Sequence, residues 1–89
     1  MASMLIQIAV KDFAEWKKVF DSAGAFRTTN GEISHQIYRD ASNPNKVTAL
    51  YKWNSLANAQ KFAQSAELKA YMEKAGVQGP PVASYLNEA

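Results

Sequence analysis

The sequence predicts a single α+β domain with the order β-α-β-β-α-β. Three observations predict it. Four segments alternate apolar and polar residues with the period of a strand. Two longer segments carry an apolar stripe at helical spacing, and turn-forming residues separate the six in that order. The length of 89 residues suffices for one core and not for two.

Residues 4–10 form the first strand, with Met4, Ile6, Ile8 and Val10 on one face and Leu5, Gln7 and Ala9 on the other. Asp12 then opens a helix, and Glu15 three positions on completes a capping box with Asp in the Ser/Thr role. Phe13, Trp16, Phe20 and Ala23, joined by Val19, make the apolar stripe, opposite Lys17, Lys18 and Asp21. Gly24 weakens the last turns, and residues 28–31 end the helix with β-branched and turn-forming side chains. Residues 32–39 read as a second strand, with Ile33, His35 and Ile37 facing one way and Ser34, Gln36 and Tyr38 the other. A turn over 40–45 leads to a third strand, 46–53, where Val47, Ala49, Tyr51 and Trp53 alternate with Thr48, Leu50 and Lys52. The short gap makes these two strands an antiparallel hairpin.

Asn54 or Ser55 caps the next helix, whose stripe is Leu56, Ala59, Phe62 and Ala63. Ser65 starts a further helical turn or a kink, and Leu68, Tyr71, Met72 and Ala75 carry the stripe to a stop at Gly76. Gly79-Pro80-Pro81 reads as a stiff connector to a last strand over 82–86. Two β-α-β units around a hairpin give the ferredoxin-like arrangement, a four-stranded antiparallel sheet with both helices on one face. The other face keeps apolar and aromatic material from the first three strands, so a homodimer through that sheet face is expected. The domain is expected over 4–89, with residues 1–3 a cloning scar or a disordered N-terminus.

Composition narrows the function. The chain is 47% hydrophobic with no cysteine, so neither a disulfide nor a thiolate metal site stabilises it. Ten Lys and Arg against eight Asp and Glu leave a formal charge of +2, scattered without a basic stripe, which argues against nucleic acid. No apolar run approaches the roughly 20 residues of a membrane span, and residues 1–10 lack the basic start of a signal peptide. A cytoplasmic location is expected.

The candidate site residues each have two readings. His35, the one histidine, offers a general base, since imidazole titrates near neutrality, or a sheet residue with an ordinary hydrogen bond. One His without Cys cannot assemble a metal site. Tyr51, Trp53, Tyr38 and Tyr85 could stack or orient a planar ligand, or supply core and interface area. Arg39 could receive an anionic group or pair with a carboxylate such as Asp40. For each of them the structural account is preferred on residue chemistry alone. Gly76-x-x-Gly79 lacks the Lys and Ser/Thr of a phosphate loop, and no Gly-x-Ser-x-Gly elbow occurs.

Four motifs carry a family resemblance: Asp12-x-x-x-Trp16, Arg39-Asp40 ahead of Pro44-Asn45-x-Val47, Trp53-x-x-Leu56-x-x-Ala59, and Ser65-x-x-Leu68-x-x-x-Met72-x-x-Ala75-Gly76-Val77-x-Gly79-Pro80-Pro81. Together they resemble the small dimeric α+β barrel proteins related to antibiotic biosynthesis monooxygenases, whose short members are often labelled cyclases. The resemblance implies two facing sheets and a pocket in each subunit for a small aromatic or polyketide-like ligand. Some relatives oxidise such ligands without a cofactor, others degrade haem, isomerise or only bind. The haem-degrading branch uses a His in the later part of the chain, and none follows His35 here.

Two functions are therefore carried forward. In the first, an enzyme without a cofactor acts on a small aromatic or cyclic substrate, in the manner of a monooxygenase, cyclase or isomerase, in a pocket at the sheet face. His35 is its base, Tyr51 or Tyr38 orients the substrate, Arg39 holds the polar end and Trp53 adds a stacking surface. In the second, the protein is a non-catalytic homodimer that binds a small ligand or serves as structure.

Overall fold

A computed structural model describes residues 2–89. The elements are β1 (Ala2–Val10), α1 (Phe13–Ser22), α2 (Gly24–Thr29), β2 (Glu32–Arg39), β3 (Lys46–Trp53), α3 (Leu56–Ala63), α4 (Ala66–Lys74) and β4 (Val77–Asn87). The strands form one sheet in the order β2-β3-β1-β4, with each neighbouring pair antiparallel. Each β-α-β unit is thus split by a strand of the other, as the ferredoxin-like expectation requires. Met1 lies outside the described residues. Ala2 and Ser3, expected ahead of the ordered domain, are instead part of β1, opposite Trp53 and Lys52 on one side and Asn87 and Leu86 on the other.

Local chemistry sets the helix boundaries. The Asp12 carboxylate accepts from the Glu15 N–H at 3.1 Å, and the Ser55 and Ser65 hydroxyls accept from the Asn58 and Leu68 N–H groups. Ser55, not Asn54, is therefore the cap of α3, and Ser65 begins a separate helix. The first helical segment also divides. α1 ends at Ala23, and Gly24 starts a six-residue α2. Gly76 closes α4 with φ near 78°, the left-handed stop expected of it.

The core lies between helices and sheet. Met4, Ile6, Ile8 and Val10 of β1 and Val47, Ala49, Tyr51 and Trp53 of β3 face Trp16, Phe20, Ala59 and Phe62. Two strand details differ from the alternation pattern. The register shifts between Glu32 and Ser34, which bulges Ile33 out and leaves Glu32 opposite Trp53. Gly79-Pro80-Pro81 lies inside β4, where partners step from Gln7–Val82 to Ala9–Gln78 across a bulge. An edge strand tolerates prolines because one row of its N–H groups has no neighbour to serve.

The uncovered face is more mixed than the sequence suggested. Tyr51 and Trp53 both turn to the helix side, leaving half-buried Leu5 and Leu50 with exposed Tyr38, Val82 and Leu86 among Gln7, Gln36, Lys52 and Ser84. Among the described residues, no helix is long and apolar enough to cross a membrane.

Candidate functional site

A pocket lies between the helices and the sheet, with a volume of about 50 Å³. Its origin is visible in β3. Ala49 stands in the middle of the buried face, opposite Ile6 and Ile37, where a larger side chain would fill the space. Aromatic rings of Trp16, Phe20, Phe26 and Tyr71 wall the pocket, and Tyr51 and Arg27 bring polar atoms to it.

Arg27 was not singled out by the sequence reading. It continues the stripe of Trp16, Phe20 and Ala23 at helical spacing and is only 5% exposed. A charge on the buried side of an amphipathic helix needs partners, and Arg27 has them. Its Nε donates to Glu32 Oε2 at 2.9 Å, its Nη1 donates to the Phe20 carbonyl at 2.7 Å, and its guanidinium lies 3.7 Å from the centre of the Phe20 ring. The Glu32 side chain is equally buried, and its second oxygen meets His35 Nδ1 at 2.6 Å. A carboxylate only accepts, so Nδ1 is the donor in this contact, and in the neutral tautomer that fits it Nε2 is left as the acceptor. The His35 ring sits edge-on to Phe20, with centroids 5.0 Å apart. His35 itself does not line the pocket; Phe20, against which it packs, does.

Tyr51 is the direct cross-strand partner of His35. Burial pushes its phenol well above the ordinary tyrosine value; Arg27 opposes that rise and Glu32 adds to it. Tyr51 therefore stays protonated at any physiological pH and acts as a hydrogen-bond donor, not as a base.

The five residues expected at the site fall into three places. His35 and Tyr51 are brought together beside the pocket. Trp53 shares their face, but its indole Nε1 donates to the Asn30 carbonyl at 3.0 Å and its ring packs on Phe62 at 4.7 Å. Tyr38 points to the opposite face, 51% exposed, with its hydroxyl donating to Gln36. Arg39 turns to the helix side, 4.0 Å over the Phe13 ring, and its Nε donates to the Pro44 carbonyl. Tyr38 and Arg39 both border a shallow groove of about 440 Å³ at the far end of the sheet, together with Asp40, Lys46, Thr48 and Gln78. Hydrogen bonds from the Ser42 hydroxyl and N–H hold the Asp40 carboxyl below its ordinary value, so that groove carries both signs of charge.

A split β-α-β sheet, roofed on one face by short helices over a mostly apolar pocket, defines a class of small α+β proteins, and known members place the chain within it. The family model for antibiotic biosynthesis monooxygenase matches residues 1–74. The chain belongs to that family. A structure from Bordetella bronchiseptica, provisionally described as an antibiotic biosynthesis monooxygenase, superposes with a TM-score of 0.83 at 17% identity, covering 99% of this chain and 96% of that one. SnoaB, a cofactor-independent oxygenase from Streptomyces nogalater, superposes at 0.79 with 14% identity, covering 99% and 92%. A provisionally described family member from Caulobacter crescentus gives 0.77 at 21% identity, covering 99% and 89%. At these identities the likeness is one of fold. No curated protein matches the chain in sequence.

Proposed function

We propose that the protein is a cofactor-independent monooxygenase- or isomerase-type enzyme acting on a small aromatic or cyclic substrate in the pocket between helices and sheet. The observation that carries the reading is the His35–Glu32 pair packed against Phe20, a ring that lines an aromatic pocket. An oxygenation without a cofactor must draw its electrons from the substrate. The protein's task is then to remove a proton, hold the resulting anion and exclude water. His35, oriented by Glu32, is the base. Tyr51 and Arg27 supply donors, and the aromatic walls hold the ring. Family membership and the likeness to SnoaB support this reading.

The pocket sits on the helix side of the sheet, and its about 50 Å³ has room for about one water or two. A substrate must therefore part the helices. α4 is the wall suited to yield, because none of its residues is buried although Leu68, Tyr71 and Met72 border the pocket. The same small volume is the specific observation that favours the second reading, a non-catalytic binding protein. Oxygen uptake with phenolic and hydroquinone substrates separates the two. Wild type is expected to turn over at least one of them, and His35→Gln to lower kcat by about 10²–10⁴-fold. Turnover unchanged in the variant removes His35 from the mechanism, and no uptake by wild type favours the binding protein.

The reading also makes the protein a homodimer through the uncovered sheet face. Support comes from Leu5 and Leu50, paired in the middle of that face, and from Tyr38, Val82 and Leu86 exposed among its polar residues, apolar area that a second copy would cover. Light scattering is expected to give about twice the chain mass of 9.8 kDa. A particle of single-chain mass at micromolar concentration contradicts it.

A further inference from the structure

Arg27 is held tightly, yet its fork is only partly used. Nε is occupied by Glu32 and Nη1 by the Phe20 carbonyl, while Nη2 has no partner among the described residues. Among the described residues, no fully buried side-chain nitrogen or oxygen lacks a partner. Nη2 therefore keeps accessible surface, and Arg27 is one of the residues that line the pocket. The same argument applies to Tyr51, whose hydroxyl makes no hydrogen bond among the described residues although the residue is buried and lines the pocket. Two residues with an unengaged donor, Arg27 from α2 and Tyr51 from β3, thus line a small space walled by aromatic rings.

We infer that Arg27 and Tyr51 form a receiving site for the carboxylate of a small aromatic acid. The inference rests on reading the pocket as the binding site, and it names the class of ligand that the site selects. Two donors from separate elements can each take one oxygen of a carboxylate, which needs no deprotonation at neutral pH. A neutral phenol offers one oxygen without a charge, so it answers the guanidinium less strongly than a carboxylate does. Glu32, which is not among the lining residues, neutralises the formal charge of Arg27, and its carboxylate is itself engaged by His35. A charge-assisted bond from the free N–H remains, shielded from water by Trp16, Phe20, Phe26 and Tyr71. The aromatic walls fix the plane of the ring, and the donors fix its direction.

Isothermal titration at pH 7 tests this with benzoate, benzamide and benzyl alcohol, which share a ring and differ in the charge of the substituent. Wild type is expected to bind benzoate at least about tenfold more tightly than either neutral probe, as a site built from donors discriminates. Tyr51→Phe is expected to weaken benzoate about tenfold and leave the neutral probes nearly unchanged. The double variant Arg27→Met with Glu32→Gln removes both buried charges together, so the fold is not left with an unpaired one, and it is expected to lose the preference. Equal affinity for the three probes in wild type, no binding of any, or a preference retained in a folded double variant overturns the inference. If the double variant does not fold, the wild-type and Tyr51→Phe comparisons still decide. No oxygen is consumed in these titrations, so the outcome is separate from the oxygenase reading. Benzoate selectivity without oxygen uptake leaves the carboxylate site standing and removes the oxygenase, and oxygen uptake without benzoate selectivity does the reverse.

Discussion

Arg27→Met is expected to destabilise the folded protein by about 3–5 kcal/mol, the cost of breaking a buried ion pair by removing one partner. The guanidinium and the Glu32 carboxylate are 2.9 Å apart, with side chains only 6% and 5% exposed. Without Arg27, Glu32 keeps its buried position with His35 as its remaining side-chain partner, and the Phe20 carbonyl loses its donor. Met fills much of the volume of the Arg stem, so the loss is chiefly electrostatic and not a cavity. Glu32→Gln in the same chain is expected to return most of that loss, because a neutral pair of similar shape no longer carries a desolvated charge. Urea midpoints of the single and double variants measure both values. A single variant within about 1 kcal/mol of wild type would mean that the pair is solvated in solution and that Arg27 is not held for the pocket.

How much of this was legible in the sequence depends on whether the information was local. The order of elements, the Asp12 and Ser65 caps and the Gly76 stop are all written within a few residues, and the structure agrees with them. The buried faces of β1 and β3 follow from simple alternation, which placed Tyr51 and Trp53 together. The Arg27–Glu32–His35 chain is not local in that sense. Arg27 had a signal, a charge on the apolar stripe of a helix, but Gly24 read as the fraying of that helix and hid it. Glu32 had none. Strict alternation puts Glu32 and His35 on opposite faces, and only the bulge at Ile33 brings both to one side. The stiff look of Gly79-Pro80-Pro81 likewise reflects local chemistry, whereas its place in β4 depends on β4 being an edge. Alternation already set Tyr38 on the face opposite His35, and the structure keeps it there, whereas the Phe13 and Pro44 contacts that hold Arg39 are not local to the strand pattern.

Trp53→Ala is expected to cost about 3–5 kcal/mol, among the largest losses of any single substitution in the chain. Trp53 is 0% exposed and joins three parts of the core. Its ring packs on Phe62 of α3 at 4.7 Å and edge-on to Tyr51 at 6.0 Å, and its indole Nε1 ties β3 to the Asn30 carbonyl at the end of α2. Gly31, next in the chain, has φ near 118°, and a Cβ there would come within 2.9 Å of Nε1 and 2.5 Å of Asn54 Oδ1. The turn into β2 is therefore built around this indole, and a smaller side chain leaves both a cavity and an unpaired carbonyl. Trp53→Phe separates the two effects. It keeps most of the buried ring but removes the donor, and the expected cost falls to about 1–3 kcal/mol, the range for an unsatisfied buried acceptor. If Trp53 instead served mainly to stack a ligand, its removal would spare stability and weaken ligand affinity. Denaturation midpoints and benzoate titration of the Phe variant distinguish these outcomes. A stability loss with benzoate affinity unchanged assigns Trp53 to the core that positions Tyr51, two residues away on the same face of β3.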